Sequence, residues 1–213
     1  MTRPGRNKQP LAANQRRMYV DWRHGQLHLR SAFPPSGGFD ELTPLVCLHG
    51  EHETSRVFGG LLAGLGNDRS VYALDLPGYG ESDPGPQRAG VAECAIAVAD
   101  FLDQMRLRLV DVLGHQWGGQ VAAELAMARP DQVRRVVFVS APVAAAADEV
   151  PGELSGLAQP VLVLRPKDAR WDLTPEVRVL LPAAEVLDMP DLGDDALEAA
   201  PDKVARPVRS FLR

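Results

Sequence analysis

The sequence predicts an α/β domain with a mostly parallel sheet flanked by helices, on three observations. Short apolar runs of strand length recur at residues 45–48, 71–74, 109–113, 136–140 and 160–164. Helical segments alternate with them, which implies parallel strands covered on both faces. One strand enters a tight glycine turn, Gly114-His115-Gln116-Trp117-Gly118, that opens directly into a helix.

The elements follow in order. Two alternating runs around Gly25 make residues 18–33 an opening hairpin. Pro34-Pro35-Ser36-Gly37-Gly38 is a loop. After the strand at 45–48 comes a helix over 57–65, stopped at Gly66, and then the strand at 71–74. Val91, Cys94, Ala95, Val98, Phe101 and Leu102 are spaced for one face of a helix over 91–105. Good helix formers fill 120–129 until Pro130 ends the run. Strands at 136–140, 160–164 and 184–188 follow, then a helical turn at 196–200 and a last helix over 201–212. The expected organisation is one domain over 18–213, with residues 1–17 a mobile, basic N-terminal tail.

Bulk properties narrow the function classes. At 213 residues the chain suits one domain with a substantial core. A net charge of −5 argues against nucleic acid and anionic membrane surfaces as partners. No apolar run approaches the roughly 18 residues of a membrane span, and the N-terminus lacks a signal peptide's apolar stretch. A cytoplasmic protein is expected. Cys47 and Cys94 lie in apolar surroundings and are expected to be buried structural thiols. No ligand spacing points to a metal, although His52, Glu51 and Asp168 or Asp194 are the residue types that would serve, and no cofactor is implied.

Three segments carry a family resemblance. Leu45-Val46-Cys47-Leu48-His49-Gly50 looks like a strand ending in the His-Gly that opens an oxyanion loop. Asp75-Leu76-Pro77-Gly78-Tyr79-Gly80-Glu81-Ser82 is close to an Asp-x-Pro-Gly-x-Gly-x-Ser segment, and Gly114 to Gly119 form a nucleophile elbow. In this order they resemble the α/β-hydrolase superfamily from about Met18 to the C-terminus, and the elbow is most similar to those of epoxide hydrolases and haloalkane dehalogenases. The resemblance implies the α/β-hydrolase fold. It places Gln116 at the nucleophile position, Asp168 at the acid position and Asp194 at the histidine position. It also implies oxyanion donors from the N–H groups of Trp117 and Glu51, beside Gly50, with the Trp117 ring lining the pocket. Relatives with a cap carry a helical lid where only 17 residues lie between Pro142 and Pro160, so the cap is expected to be truncated or absent.

The chemistry departs from that pattern. A glutamine amide is a poor nucleophile. The five histidines, His24, His28, His49, His52 and His115, all precede Gln116. A triad in the order nucleophile, acid, histidine therefore does not exist in this chain. Without an imidazole to orient, Asp168 is expected to pair with Arg165, Lys167 or Arg170, and His49 and His115 to hydrogen-bond within their turns. His52 with Glu51 is the candidate base, set against a solvated helix start capped by Thr54 or Ser55. The favoured function is a small-molecule-binding pseudoenzyme. Two alternatives stay open: a hydrolase, lyase or cyclase acting without a covalent intermediate through His52, Glu51 or Asp168, and a protein-interaction module.

Overall fold

The computed structural model describes residues 13–35, 41–87, 89–140, 154–168, 171, 178–179 and 181–213. Eight strands form one sheet: β1 (Asn14–Trp22), β2 (Gly25–Phe33), β3 (Leu42–Leu48), β4 (Arg69–Leu74), β5 (Val110–His115), β6 (Val133–Val139), β7 (Val161–Pro166) and β8 (Glu185–Met189). Their spatial order is β1-β2-β4-β3-β5-β6-β7-β8. β2 runs antiparallel to β1 and β4, and every other neighbouring pair is parallel. The helices are α1 (Gly59–Leu65), entered through a 3-10 turn at Ser55–Phe58, then α2 (Val91–Gln104), α3 (Trp117–Ala128), α4 (Ala196–Ala199) and α5 (Pro201–Phe211).

Alternation along the strands divides the core into two layers. Val46, Leu48, Val136, Phe138, Val161 and Val163 face α2 and α3, where Cys94, Val98, Phe101 and Leu125 meet them. Leu45, Cys47, Val137, Val139, Leu162 and Leu164 face the other way, onto Phe58, Leu61 and Leu65 and onto Val204 and Val208 of α5. A run such as Leu45-Val46-Cys47-Leu48 is apolar at every position because both faces are covered. Both thiols are free and buried; burial raises each pKa, to about 12 for Cys94.

The first strand starts at Asn14, inside the segment expected to be tail. Asn14 to Arg17 are exposed and pair with Phe33 to Arg30 through the backbone alone, so no apolar alternation announces them. Residues 1–12 of that tail, and residues 141–153 of the connector expected in place of a lid, lie outside the described residues.

At the edge where the parallel strands begin, a buried charge cluster ties α5 to the sheet. Asp111 and Arg69 are fully buried and 3.4 Å apart. Arg134 bridges Asp111 at 2.7 Å and donates to the Leu212 carbonyl at 2.7 Å, while Arg135 reaches the main-chain oxygen of Arg213. Burial pushes the Asp111 carboxyl upward despite the opposing arginines. Removing one partner therefore strands the others. Asp111→Ala is expected to cost about 3–5 kcal/mol in urea unfolding, whereas Asp103→Ala, which breaks an exposed pair with Arg129, should cost less than about 1 kcal/mol.

Candidate active site

Since β3 to β8 run parallel, the loops at their C-terminal ends gather on one edge of the sheet. Gly50 to Glu53 follow β3, Asp75 to Asp83 follow β4, Gln116 follows β5, Asp168 follows β7 and Asp194 follows β8. The loops after β7 and β8 are joined by the Lys167 N–H, which donates to the Leu192 carbonyl at 2.6 Å.

Gln116 stands at the apex of the strand-to-helix turn with φ 48° and ψ −115°, a strained backbone for a residue with a side chain. Its N–H donates to the Val139 carbonyl at 3.1 Å, and its carbonyl accepts the Gly119 N–H at 2.9 Å. The two flanking glycines are required by close approach. A Cβ on Gly114 would strike the backbone of Gly118 and Gly119, and one on Gly118 would strike the carbonyls of Leu48 and His49. The turn therefore brings α3 against the end of β3, next to Gly50. Trp117 is the first residue of α3, and an N–H at that position has no intrahelical acceptor.

Facing the elbow is a carboxylate that sequence reasoning did not single out. Glu53 Oε2 lies 2.9 Å from His115 Nδ1 and accepts the Gly50 N–H at 2.8 Å. It also stands against the same point of the Gly50 backbone as Gln116 Oε1: a Cβ placed on Gly50 would lie 2.8 Å from one oxygen and 3.4 Å from the other. Burial acts to raise the Glu53 pKa, but His115 and the Gly50 N–H outweigh it and hold the carboxyl below its ordinary value. His115 itself is buried. Glu53 and His115 are 62 residues apart, so the only cue was a carboxylate three residues after the His-Gly.

His49 is a structural residue. Its Nε2 accepts the Leu76 N–H at 3.0 Å and its Nδ1 lies 2.7 Å from the Gly50 carbonyl, an arrangement that needs a neutral imidazole protonated on Nδ1. Burial depresses its pKa accordingly. Asp75 holds the loop after β4. Its two oxygens accept the N–H groups of Ser55 and Glu81 at 2.6 and 2.9 Å and contact His28 Nδ1 at 2.8 Å. Burial opposes ionisation of Asp75, yet these partners keep its pKa below the ordinary value.

The remaining sequence candidates are more dispersed. The His52 side chain is 78% exposed, on a residue with φ 63°, and its Nε2 is 3.9 Å from Glu51 Oε1. Such a solvated pair is worth little. Thr54 caps the helix start as expected, its hydroxyl accepting the Arg56 N–H at 3.4 Å. Asp168 is half-buried and Asp194 is exposed. Arg165, one of the three residues expected to pair with Asp168, reaches Asp188 at 2.8 Å and stacks on Trp171, and Arg170, another of the three, lies outside the described residues. The half-buried Trp117 ring packs on Tyr79 at 5.9 Å, and Tyr79 also meets His49 at 5.4 Å and His52 at 6.5 Å. Among the described residues, no group of three or more His, Cys, Asp or Glu could hold a metal ion, and no helix is long and apolar enough to cross a membrane.

Comparison with known proteins agrees with this fold. The family model described as alpha/beta hydrolase fold matches residues 43–171. The chain is similar to the pimeloyl-[acyl-carrier protein] methyl ester esterase of Neisseria meningitidis, 32% identical over 71% of this chain and 46% of the relative. It is similar to epoxide hydrolase 4 of Mus musculus, 33% identical over 46% of this chain and 28% of the relative. It thus spans less than half the length of either curated relative. The solved structure of the epoxide hydrolase CorEH without ligand superposes with a TM-score of 0.79 over 93% of this chain and 98% of that one, at 16% identity, a likeness of fold.

The depressed carboxyls set an acid limit on stability. A group whose folded pKa lies below its unfolded value stabilises fully above the unfolded value and loses that contribution as pH falls through the folded one. Buried, neutral His49 follows the same sign, its contribution being lost as pH falls below the ordinary imidazole value. Thermal melts should therefore show stability declining from that range and falling further once the pH drops below the ordinary carboxylate range. Glu53→Gln should lower the melting temperature at neutral pH and make that acid fall shallower.

Proposed function

The chain belongs to the α/β-hydrolase fold family, and on that premise we propose that it is a pseudoenzyme that holds a small organic molecule at the elbow without covalent hydrolysis. The observation that carries this reading is Gln116 at the apex of the strained turn. A neutral amide there forms no ester or acyl intermediate. The acid position, Asp168, has no imidazole to orient, since Asp194 occupies the histidine position and no histidine follows Gln116. What the elbow keeps is backbone: the N–H groups of Trp117 and Glu51, beside Gly50, suit a carbonyl oxygen. Gln116 adds one donor and one acceptor. The short stretch between Pro142 and Pro160 leaves the site without a large lid, a poor setting for chemistry that needs water excluded.

A second reading is favoured by the Glu53–His115 pair. A half-buried carboxylate beside the elbow is a better-placed base than the solvated His52 and Glu51, and with Asp168 these are the groups that non-covalent proton transfer or water attack would use.

The two readings separate in one experiment. Incubated with short-chain aryl esters and a styrene-type epoxide, the protein is expected to show no turnover above buffer and no adduct by intact mass. Gln116→Asp should remain without multiple turnover, because the histidine that activates breakdown of the intermediate is still missing. Wild-type turnover that falls about 100-fold in Glu53→Gln, with Glu51→Gln and His52→Ala as controls, would establish the second reading and end the first.

A further inference from the structure

We propose that the cleft beside Tyr79 binds the aromatic ring of a neutral carbonyl compound whose oxygen rests on the elbow amides. This rests on the ligand-binding reading above and names the class of ligand. Tyr79 connects the two places: its ring contacts Trp117 at the elbow and lines a half-open cleft of about 540 Å³ together with Pro77, Pro84, Pro86 and Ala89. That volume lies within the roughly 300–1,000 Å³ typical of small-molecule sites. Pyrrolidine rings and a phenol make most of the lining apolar, which suits an aromatic face. His52 and Gln87 add polar groups to the lining.

The wall of the cleft around Tyr79 is held firmly. The Tyr79 N–H donates to the Leu76 carbonyl at 2.9 Å, the Gly78 N–H to Asp83 at 3.3 Å, the Ser82 N–H to Tyr79 at 3.1 Å and the Glu81 N–H to Asp75 Oδ2 at 2.9 Å. Gly80, at φ 56°, leaves the space that Asp75 occupies. Three prolines restrict the loop further. A wall that is already ordered costs little to order on binding.

Charge selects a neutral ligand. The Glu53 carboxylate beside Gly50 and Gln116 is kept ionised by His115 and the Gly50 N–H. An anionic ligand at the same amides would face it at close range, whereas a ketone, ester or amide oxygen would not.

The test is an amide NMR titration of ¹⁵N-labelled protein with 2-acetonaphthone, with 2-naphthoate as the anionic counterpart. The ketone is expected to shift the amides of Gly78, Gly85 and Gln87 in the cleft together with that of Trp117. Tyr79→Leu should weaken binding roughly 5–10-fold while Tyr79→Phe stays within about twofold, and 2-naphthoate should bind at least about tenfold more weakly. Gln87→Trp, a change at an exposed position, should block the cleft if Tyr79→Leu does not fold. Trp117 shifts without cleft shifts, unchanged by Tyr79→Leu or Gln87→Trp, would overturn the proposal and leave the elbow reading standing. Cleft shifts without Trp117, or naphthoate binding as well as the ketone, would also overturn it. Silence at every amide would remove both.

Discussion

The backbone of Gln116, held at positive φ between β5 and α3, is the constraint on which the rest of this edge depends. Its N–H is tied to β6 through Val139 and its carbonyl to Gly119. The turn closes only because Gly114 and Gly118 have no side chains, and Gly118 lies directly on the carbonyls of Leu48 and His49. Three adjacent strands are thereby brought to one point. Strain of order 1–3 kcal/mol in such a turn persists only where surrounding structure over-determines it, and here a sheet buried on both faces does so. The scaffold spends that stability on a geometry that presents one side chain, and the side chain presented is an amide.

Around this point the loops after β3 and β4 are fixed by buried polar groups. His49 joins the two loops as a neutral imidazole, Asp75 gathers the backbone of Ser55 and Glu81, and Glu53 binds Gly50 and His115. Each is a buried or half-buried group hydrogen-bonded to neighbouring loops, which rigidifies the surroundings of the elbow. The result is a preordered rim in which His49, Asp75 and Glu53 are engaged in holding shape, which is what the proposed binding site needs.

Much of the fold was legible in the sequence because its signals are local. Buried parallel strands are continuous apolar runs, helices repeat their apolar residues at three and four, and the elbow's glycines mark a turn no other residue fits. Gln116, Trp117 and Gly50 could be placed for that reason. The polar start of β1 could not, because Asn14 to Arg17 join the sheet by backbone pairing and bury no side-chain pattern. The Glu53–His115 pair was hidden for a different reason. Two groups far apart in sequence meet only once β3 and β5 lie side by side, whereas Glu51 and His52, adjacent in sequence, looked like a charged cluster and lie at the surface, His52 largely solvated.

A crystal of the protein soaked with 2-naphthyl acetate would test the elbow most directly. An intact ester, with its carbonyl oxygen about 2.7–3.2 Å from the Trp117 nitrogen, is the result predicted for an anchor without a nucleophile. An acyl group attached to a side chain, or released naphthol in place of the ester, would contradict it.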